Sequence, residues 1–187
     1  MQSLIFDTSA LFNFGHRGEM EALLAEFGGC YRLVTTDEVK KESCGPPHAK
    51  YYERFIDRHF HLERAAQVRL PLDVLARLSR VLGSGELSVI LLGLSVAGAY
   101  ALVIDERPAR YEAATQGLAV AGTIGLLKEA IGRRWRTDAE CVQAVRLLVE
   151  RKFRVRDLAH GETFVGYFNS LGQGQEQFPG FIRECAG

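Results

Sequence analysis

What this chain has little of narrows its class before any motif is read. Its four cysteines, at positions 30, 44, 141 and 185, stand far apart with no Cys-x-x-Cys spacing, so neither a zinc knuckle nor a dithiol redox motif is legible. Reduced thiols in a cytoplasmic protein are the expectation. Charge of one sign is also lacking: 23 Lys and Arg stand against 23 Asp and Glu. Overall basicity therefore gives no argument for a nucleic-acid partner, and any such case has to rest on local charge. The first residues run Met1-Gln2-Ser3 straight into Leu4-Ile5-Phe6, without the basic segment, apolar stretch and cleavage site of a secretory signal, so secretion is not expected. Only one apolar run approaches membrane length, the 18 uncharged residues from Leu87 to Ile104. Gly93, Ser95 and Gly98 divide it into an apolar helix near 87–97 and a strand near 101–104, and a buried helix feeding a buried strand explains it without a membrane.

What is there suits one folded unit. With 187 residues, 47% of them hydrophobic, the chain can bury one substantial core. Ser3-Leu4-Ile5-Phe6 reads as a strand ending at Asp7, and Thr8-Ser9-Ala10-Leu11-Phe12 opens a helix. A second strand is expected at Arg32-Leu33-Val34-Thr35, with Thr36 or Asp37 capping the helix that carries Glu38 and Glu42. Residues 48–82 read as two amphipathic helices, one through Tyr52, Phe55, Ile56 and Phe60 and the other through Leu75, Leu78 and Leu82. Gly83-Ser84-Gly85-Glu86 is a turn into the apolar helix, and Ala101-Leu102-Val103-Ile104 is a strand ending at Asp105 and Glu106. A short strand over 118–120 and a helix opened by Gly122-Thr123 follow.

Alternating strands and helices predict an α/β fold, a three-layer α/β/α sandwich with a central parallel sheet. Residues 1–171 are expected to form the domain, with a helical insertion about 46–82 and C-terminal helices about 138–171. Residues 172–187, rich in Gly and Gln, are expected to be a loosely ordered tail.

The acids carry the chemistry. In an open parallel sheet, ligand sites form outside the carboxyl ends of the strands, which is where Asp7 and Asp105 stand. Glu86, at a helix start 19 residues before Asp105, is expected to return to the same edge, and Glu42 to face it from the first turns of its helix. Converging carboxylates repel one another unless a cation lies between them, and hard oxygen ligands suit Mg²⁺ or Mn²⁺. Phosphodiester hydrolysis is the chemistry that best uses such a site. Asp7, Asp105, Glu86 and Glu42 are thus the candidate catalytic and metal-ligating residues, although an acid after a strand is also an ordinary helix cap. Ser9 and Thr123, hydroxyls at helix openings, and Arg110 and Glu106 are candidates for site support.

Several of these segments resemble the motifs of PIN-domain nucleases. Leu4-Ile5-Phe6-Asp7-Thr8-Ser9-Ala10-Leu11 is similar to their first motif. Thr35 through Glu42 is similar to the second, with its acid on Glu42 and Glu38 as the alternative register. Gly83-Ser84-Gly85-Glu86, Ile104 through Arg110, and Gly122-Thr123-Ile124-Gly125-Leu126-Leu127 resemble the Gly-x-Gly-Glu, fourth-motif and Gly-Thr-x-Gly segments of one subgroup, and Phe153-Arg154-Val155-Arg156-Asp157 is similar to how that subgroup ends. The resemblance implies cleavage of RNA dependent on Mg²⁺ or Mn²⁺, often by the toxin of a VapC-type pair, with an antitoxin protein and a second copy of the chain as partners. Ser88 stands where some members of that subgroup carry a further acid.

Local charge adds a weaker argument for RNA. Residues 133–156 hold eight cations against three acids. Arg133, Arg134 and Arg136 surround Trp135 as a candidate backbone-tracking and base-stacking stretch, although a solvated basic face would look the same. His59 and His61 would face different sides of a helix, poor geometry for a shared metal. A haloacid-dehalogenase-like phosphatase also starts with a strand ending in Asp, but needs a second acid two residues on, where Ser9 stands. The rival of another class is a catalytically silent PIN-like module that binds RNA or protein without cutting.

Overall fold

A computed structural model describes residues 1–15, 18–64, 68, 70–98 and 100–150. In chain order these form β1 (Ser3–Phe6), α1 (Thr8–Phe14), α2 (Glu19–Cys30), β2 (Arg32–Thr36), α3 (Asp37–Ser43), α4 (Ala49–His59), β3 (His61–Glu63), α5 (Leu72–Val81), α6 (Ser84–Ser95), β4 (Tyr100–Val103), α7 (Arg107–Thr115), β5 (Val120–Ala121), α8 (Thr123–Gly132) and α9 (Asp138–Glu150). The expected motif at 153–157, the helix after it, the cations at 151–156 and the 172–187 tail lie outside the described residues.

The sheet is parallel throughout, in the order β3-β2-β1-β4-β5. From β1 the chain works outward to β3, then returns to lay β4 against the other side of β1. Strand order therefore reverses between β1 and β4, and their carboxyl ends open a crevice there. Phe6 pairs with Val103 at that end. With helices flanking the sheet, its central strands are buried on both faces, which is why they read as unbroken apolar runs rather than alternating ones. Leu4, Ile5 and Phe6 are buried, as are Ala101 through Ile104.

α6 is apolar around most of its circumference because it is an interior helix: Val89, Ile90 and Leu92 are buried, and it packs on β1, β2 and β4. Together α6 and β4 account for the long uncharged run, and among the described residues no helix is long and apolar enough to cross a membrane. Phe6 meets Phe14 and Phe60 edge to face, with centroids 5.7 and 5.2 Å apart. Burying one such ring is worth about 1.5–3 kcal/mol.

The α/β architecture matches the expectation, and the boundaries differ in four places. β3 interrupts the segment read as two helices. Its three residues hold one apolar side chain, the exposed Leu62, so no alternation is available to read; backbone pairing to β2 and the Arg32–Glu63 ion pair hold it at the sheet edge. α2 fills a stretch left unassigned, burying Met20, Leu23, Leu24 and Phe27. β5 starts two residues later than expected and is only two residues long. α3 is also short, so Glu42 lies in its last turn, not its first turns. Thr36 is its N-cap, accepting from the Val39 N–H at 3.2 Å. None of Cys30, Cys44 and Cys141 is in a disulfide with another described residue.

Candidate active site

β1 and β4 deliver the two aspartates to the crevice. Asp7 follows the last residue of β1 and donates its backbone N–H to the Val103 carbonyl at 3.0 Å, which continues the β1–β4 pairing by one residue. Asp105 lies two residues beyond the end of β4. Neither is held by chance. Asp7 caps α1, its Oδ1 accepting from the Ala10 N–H at 2.8 Å and its Oδ2 from the Ser9 hydroxyl at 2.9 Å. Asp105 Oδ1 accepts from the Thr123 N–H at 2.7 Å, and Oδ2 from the Thr123 hydroxyl at 2.5 Å and the Asn13 amide at 2.9 Å. Asn13 also donates to the Thr123 hydroxyl oxygen at 3.2 Å, so α1, α8 and the end of β4 close around one carboxylate.

Glu86 and Glu42 meet at the start of α6. Glu86 Oε2 reaches back to the Gly83 N–H at 2.9 Å and so caps its own helix. Glu42 crosses from α3: Oε1 accepts from the Ser84 hydroxyl and the Gly85 N–H at 2.6 and 2.8 Å, and Oε2 from the Thr8 hydroxyl at 2.6 Å. Its carboxylate thus sits on the positive end of α6 and ties that helix to α1 and α3. Gly85 must lack a side chain for this to happen, since a Cβ there would collide with Glu42 Oε2 and lie 2.7 Å from Thr8 Oγ1.

These environments divide the four acids. Burial, and then the nearby Asp105 charge, push Asp7 up from 3.8 to about 8, against the hydrogen bonds from Ala10 and Ser9; Glu86 adds to the repulsion. Burial also raises Asp105, against the opposing pull of Thr123, Asn13 and Arg110. Glu86 is raised by burial, with Glu106 and Glu42 adding repulsion against the Gly83 N–H. Glu42 alone moves down: burial opposes ionisation, yet the bonds from Ser84, Thr8 and Gly85 outweigh it. Three acids hold a proton more tightly than an exposed carboxyl does, and the fourth holds it less tightly.

The supporting candidates sort by contact. Ser9 and Thr123 touch the aspartates directly, as given above. Arg110 lies beside Asp105: a Cβ on Gly122 would come within 2.9 Å of Arg110 Nη1 and 3.0 Å of Asp105 Oδ1, so the glycine makes room for both. Glu106, exposed at the start of α7, repels Glu86. Glu38 is in the first turn of α3, where it acts on Arg64, the partner of Asp37, while Glu42 acts on Glu86. Asn13, Thr8 and Ser84 were not anticipated. Asn13 had a signal, being one turn from Ser9 and the one polar residue in an otherwise apolar Ala10-to-Phe14 run.

Ser88 is buried, and its hydroxyl donates to the Gly85 carbonyl at 2.7 Å. Its oxygen therefore accepts from Thr36, whose own oxygen accepts from Val39, across a 2.6 Å contact that fastens α6 to the cap of α3. An acid in this place would be a buried acid.

The basic stretch is elsewhere. α8 starts at the carboxyl edge of the sheet with Thr123 and runs back, and Tyr31, beside Arg133, immediately precedes β2; residues 133–136 therefore sit at the opposite edge from the acids. Arg133 donates to Glu129 and to the Tyr31 hydroxyl, each at 2.6 Å, and lies over the Tyr31 and Trp135 rings. Trp135 packs edge to face on Phe27, and Arg136 pairs with Glu26 at 2.7 Å. These three side chains are engaged in structure; Arg134 is exposed.

Among the described residues, no three His, Cys, Asp or Glu side chains stand as a ready-made metal cage. The donor set fits Mg²⁺ or Mn²⁺ nonetheless, because such ions retain several waters and need only one or two protein carboxylates. Asp7 and Asp105 supply those, each with acceptor capacity left, and their mutual repulsion is what a dication relieves.

No curated protein matches the chain. A family model for a PIN domain, DUF3368, matches residues 3–163. That span takes in the sheet, the crevice between β1 and β4 and all four acids, and the chain belongs to the PIN-domain family.

Proposed function

We propose that this PIN-domain protein is a divalent-metal-dependent ribonuclease whose working edge is the crevice between β1 and β4. One observation carries the reading: buried Asp7 and partly buried Asp105 are brought to the point where strand order reverses, burial pushes both up, and the Asp105 charge pushes Asp7 up further. Structural acids are normally paired, as Glu129 is by Arg133. Asp7 and Asp105 are the groups that would hold Mg²⁺ or Mn²⁺. When bound, such an ion lowers the pKa of a coordinated water and neutralises charge developing on a phosphate.

The protein's own groups then have distinct work. Ser9 and the Ala10 N–H orient Asp7, while Thr123 and Asn13 orient Asp105. Glu86, half-buried and only partly neutralised by its cap, adds negative charge beside Asp7. Arg110 supplies a guanidinium at the rim, suited to a phosphate oxygen. RNA as substrate, an antitoxin protein as inhibitor and a homodimer as the assembled form rest on the resemblance to VapC-type toxins and are part of the proposal.

The test is incubation of purified protein with mixed RNA and Mn²⁺, with and without chelator, beside Asp105→Asn. Cleavage should vanish with chelator and fall about a thousandfold in the variant, several kcal/mol of lost transition-state stabilisation. Cleavage indifferent to both would end the proposal. A second reading, a PIN module that binds without cutting, is favoured by one feature: Glu42 already accepts three hydrogen bonds from α1 and α6 donors. Saturable Mn²⁺ binding with no cleavage of any RNA would select it.

A further inference from the structure

The Asp105 carboxylate is held asymmetrically. A carboxylate offers about four acceptor positions, two on each oxygen. Among the described residues, Oδ2 receives two donors, the Thr123 hydroxyl at 2.5 Å and Asn13 Nδ2 at 2.9 Å, while Oδ1 receives one, the Thr123 N–H at 2.7 Å. The orientation of the Asn13 amide is set by its neighbours. Thr123 Oγ1 spends its proton on Asp105, so it can only accept from Asn13, and both groups facing the Asn13 nitrogen are acceptors.

We infer that Asn13 is a positioning residue that fixes the denticity of Asp105: by filling the last acceptor position on Oδ2 it leaves Oδ1 alone to bind a cation, and so biases the site toward small octahedral ions and against Ca²⁺. The inference rests on the metal-binding reading above and deepens it. Mg²⁺ demands near-octahedral geometry at short distance and takes carboxylates one oxygen at a time. Ca²⁺ accepts six to eight oxygens and readily takes both oxygens of one carboxylate. Asp7 cannot supply this bias, because its two oxygens receive one donor each. Asn13 touches neither substrate nor ion in this scheme; it acts through Asp105.

The discriminating measurement is ion competition on the full-length protein, not turnover. Mn²⁺ binding is followed by electron paramagnetic resonance, and Mg²⁺ and Ca²⁺ are titrated in as competitors. Wild type should prefer Mg²⁺ to Ca²⁺. Asn13→Ala and the bulkier Asn13→Leu both remove the donor and should shift that preference toward Ca²⁺ about tenfold, the scale typical of groups that orient metal ligands. A role confined to tying α1 to α8 would lower the melting temperature of both variants and leave the ion preference where it was. An unchanged ratio in a cooperatively melting variant overturns the inference, and so does a wild-type protein that binds Ca²⁺ as tightly as Mg²⁺, whether or not the variants fold. Wild type that shows no saturable Mn²⁺ binding at all removes the metal-dependent reading itself, a separate and recognisable result.

Discussion

The two edges of the sheet handle charge in opposite ways. At the amino edge, Arg133 pairs with Glu129 beside the Tyr31 hydroxyl and the Tyr31 and Trp135 rings, and Arg136 pairs with Glu26 and donates to the Trp135 carbonyl. At the carboxyl edge, burial pushes Asp7, Asp105 and Glu86 up, and the charges of Asp105 and Glu86 push Asp7 up further. Charge that serves folding is neutralised within the fold, whereas charge left unneutralised destabilises the fold and is retained for something outside it. Both edges drew notice in the sequence, and only their surroundings separate them.

Removing charge should therefore have opposite effects at the two edges, and the largest contrast is at Asp7. Its folded pKa, about 8, lies above the unfolded value near 3.8, so the folded state holds the proton more tightly. The associated stability is present in full below about pH 4 and is lost as pH rises through 8. Asp7→Asn keeps the shape, accepting from Ala10 as before and donating to the Ser9 oxygen. In chelator at pH 8 the variant should melt about 5–10 °C above wild type, with a clearly smaller gap at pH 5. The same substitution should abolish RNA cleavage and stabilisation by Mn²⁺. Equal melting temperatures at both pH values would mean that Asp7 is not strained, and the contrast between the edges would collapse.

At the amino edge the sign reverses. Trp135→Ala opens a hole beside Phe27 and strips the stacking partner from Arg133, and should cost about 3 kcal/mol. Arg133→Ala leaves Glu129 without its cation and should cost about 2 kcal/mol. Both losses are read by urea denaturation. Cleavage per folded molecule should stay within about twofold of wild type, since the stretch lies across the sheet from the acids. A large drop in RNA affinity with unchanged stability would instead restore the basic stretch to a binding role.

How much of this was legible follows from what each element presents to its neighbours. β1 and β4 could be read because a strand buried on both faces is apolar at every position, and Asp7 and Asp105 because an acid closing such a run is conspicuous. β3 could not be read: its three residues are placed by backbone hydrogen bonds that leave no mark on side-chain pattern. α2 could have been, since Met20, Leu23, Leu24 and Phe27 recur at helical spacing. The sharing of Asp105 between Asn13 and Thr123, across 92 and 18 residues of chain, was beyond any local pattern. So was Glu42's attachment to the start of α6, which joins residues 42 apart.

The finest test of the comparison is Arg134, which among residues 133–136 is exposed and makes no ion pair with another described residue. α8 ends in a Schellman turn: the Arg134 N–H reaches the Ile131 carbonyl and the Trp135 N–H the Ala130 carbonyl, both at 2.9 Å. Arg134 occupies the left-handed position of that turn, at φ 60°, where glycine is at ease and a residue with a Cβ is strained. If the amino edge is purely structural, Arg134→Gly should relieve the strain, raising stability by about 0.5–1 kcal/mol and leaving RNA binding intact at every salt concentration. A variant that is more stable yet binds RNA more weakly, with a salt dependence shallower by about one ion, would show that strain is tolerated here for a phosphate contact. The amino edge would then hold one unneutralised charge of its own, and the division between the two edges would have to be redrawn around that side chain.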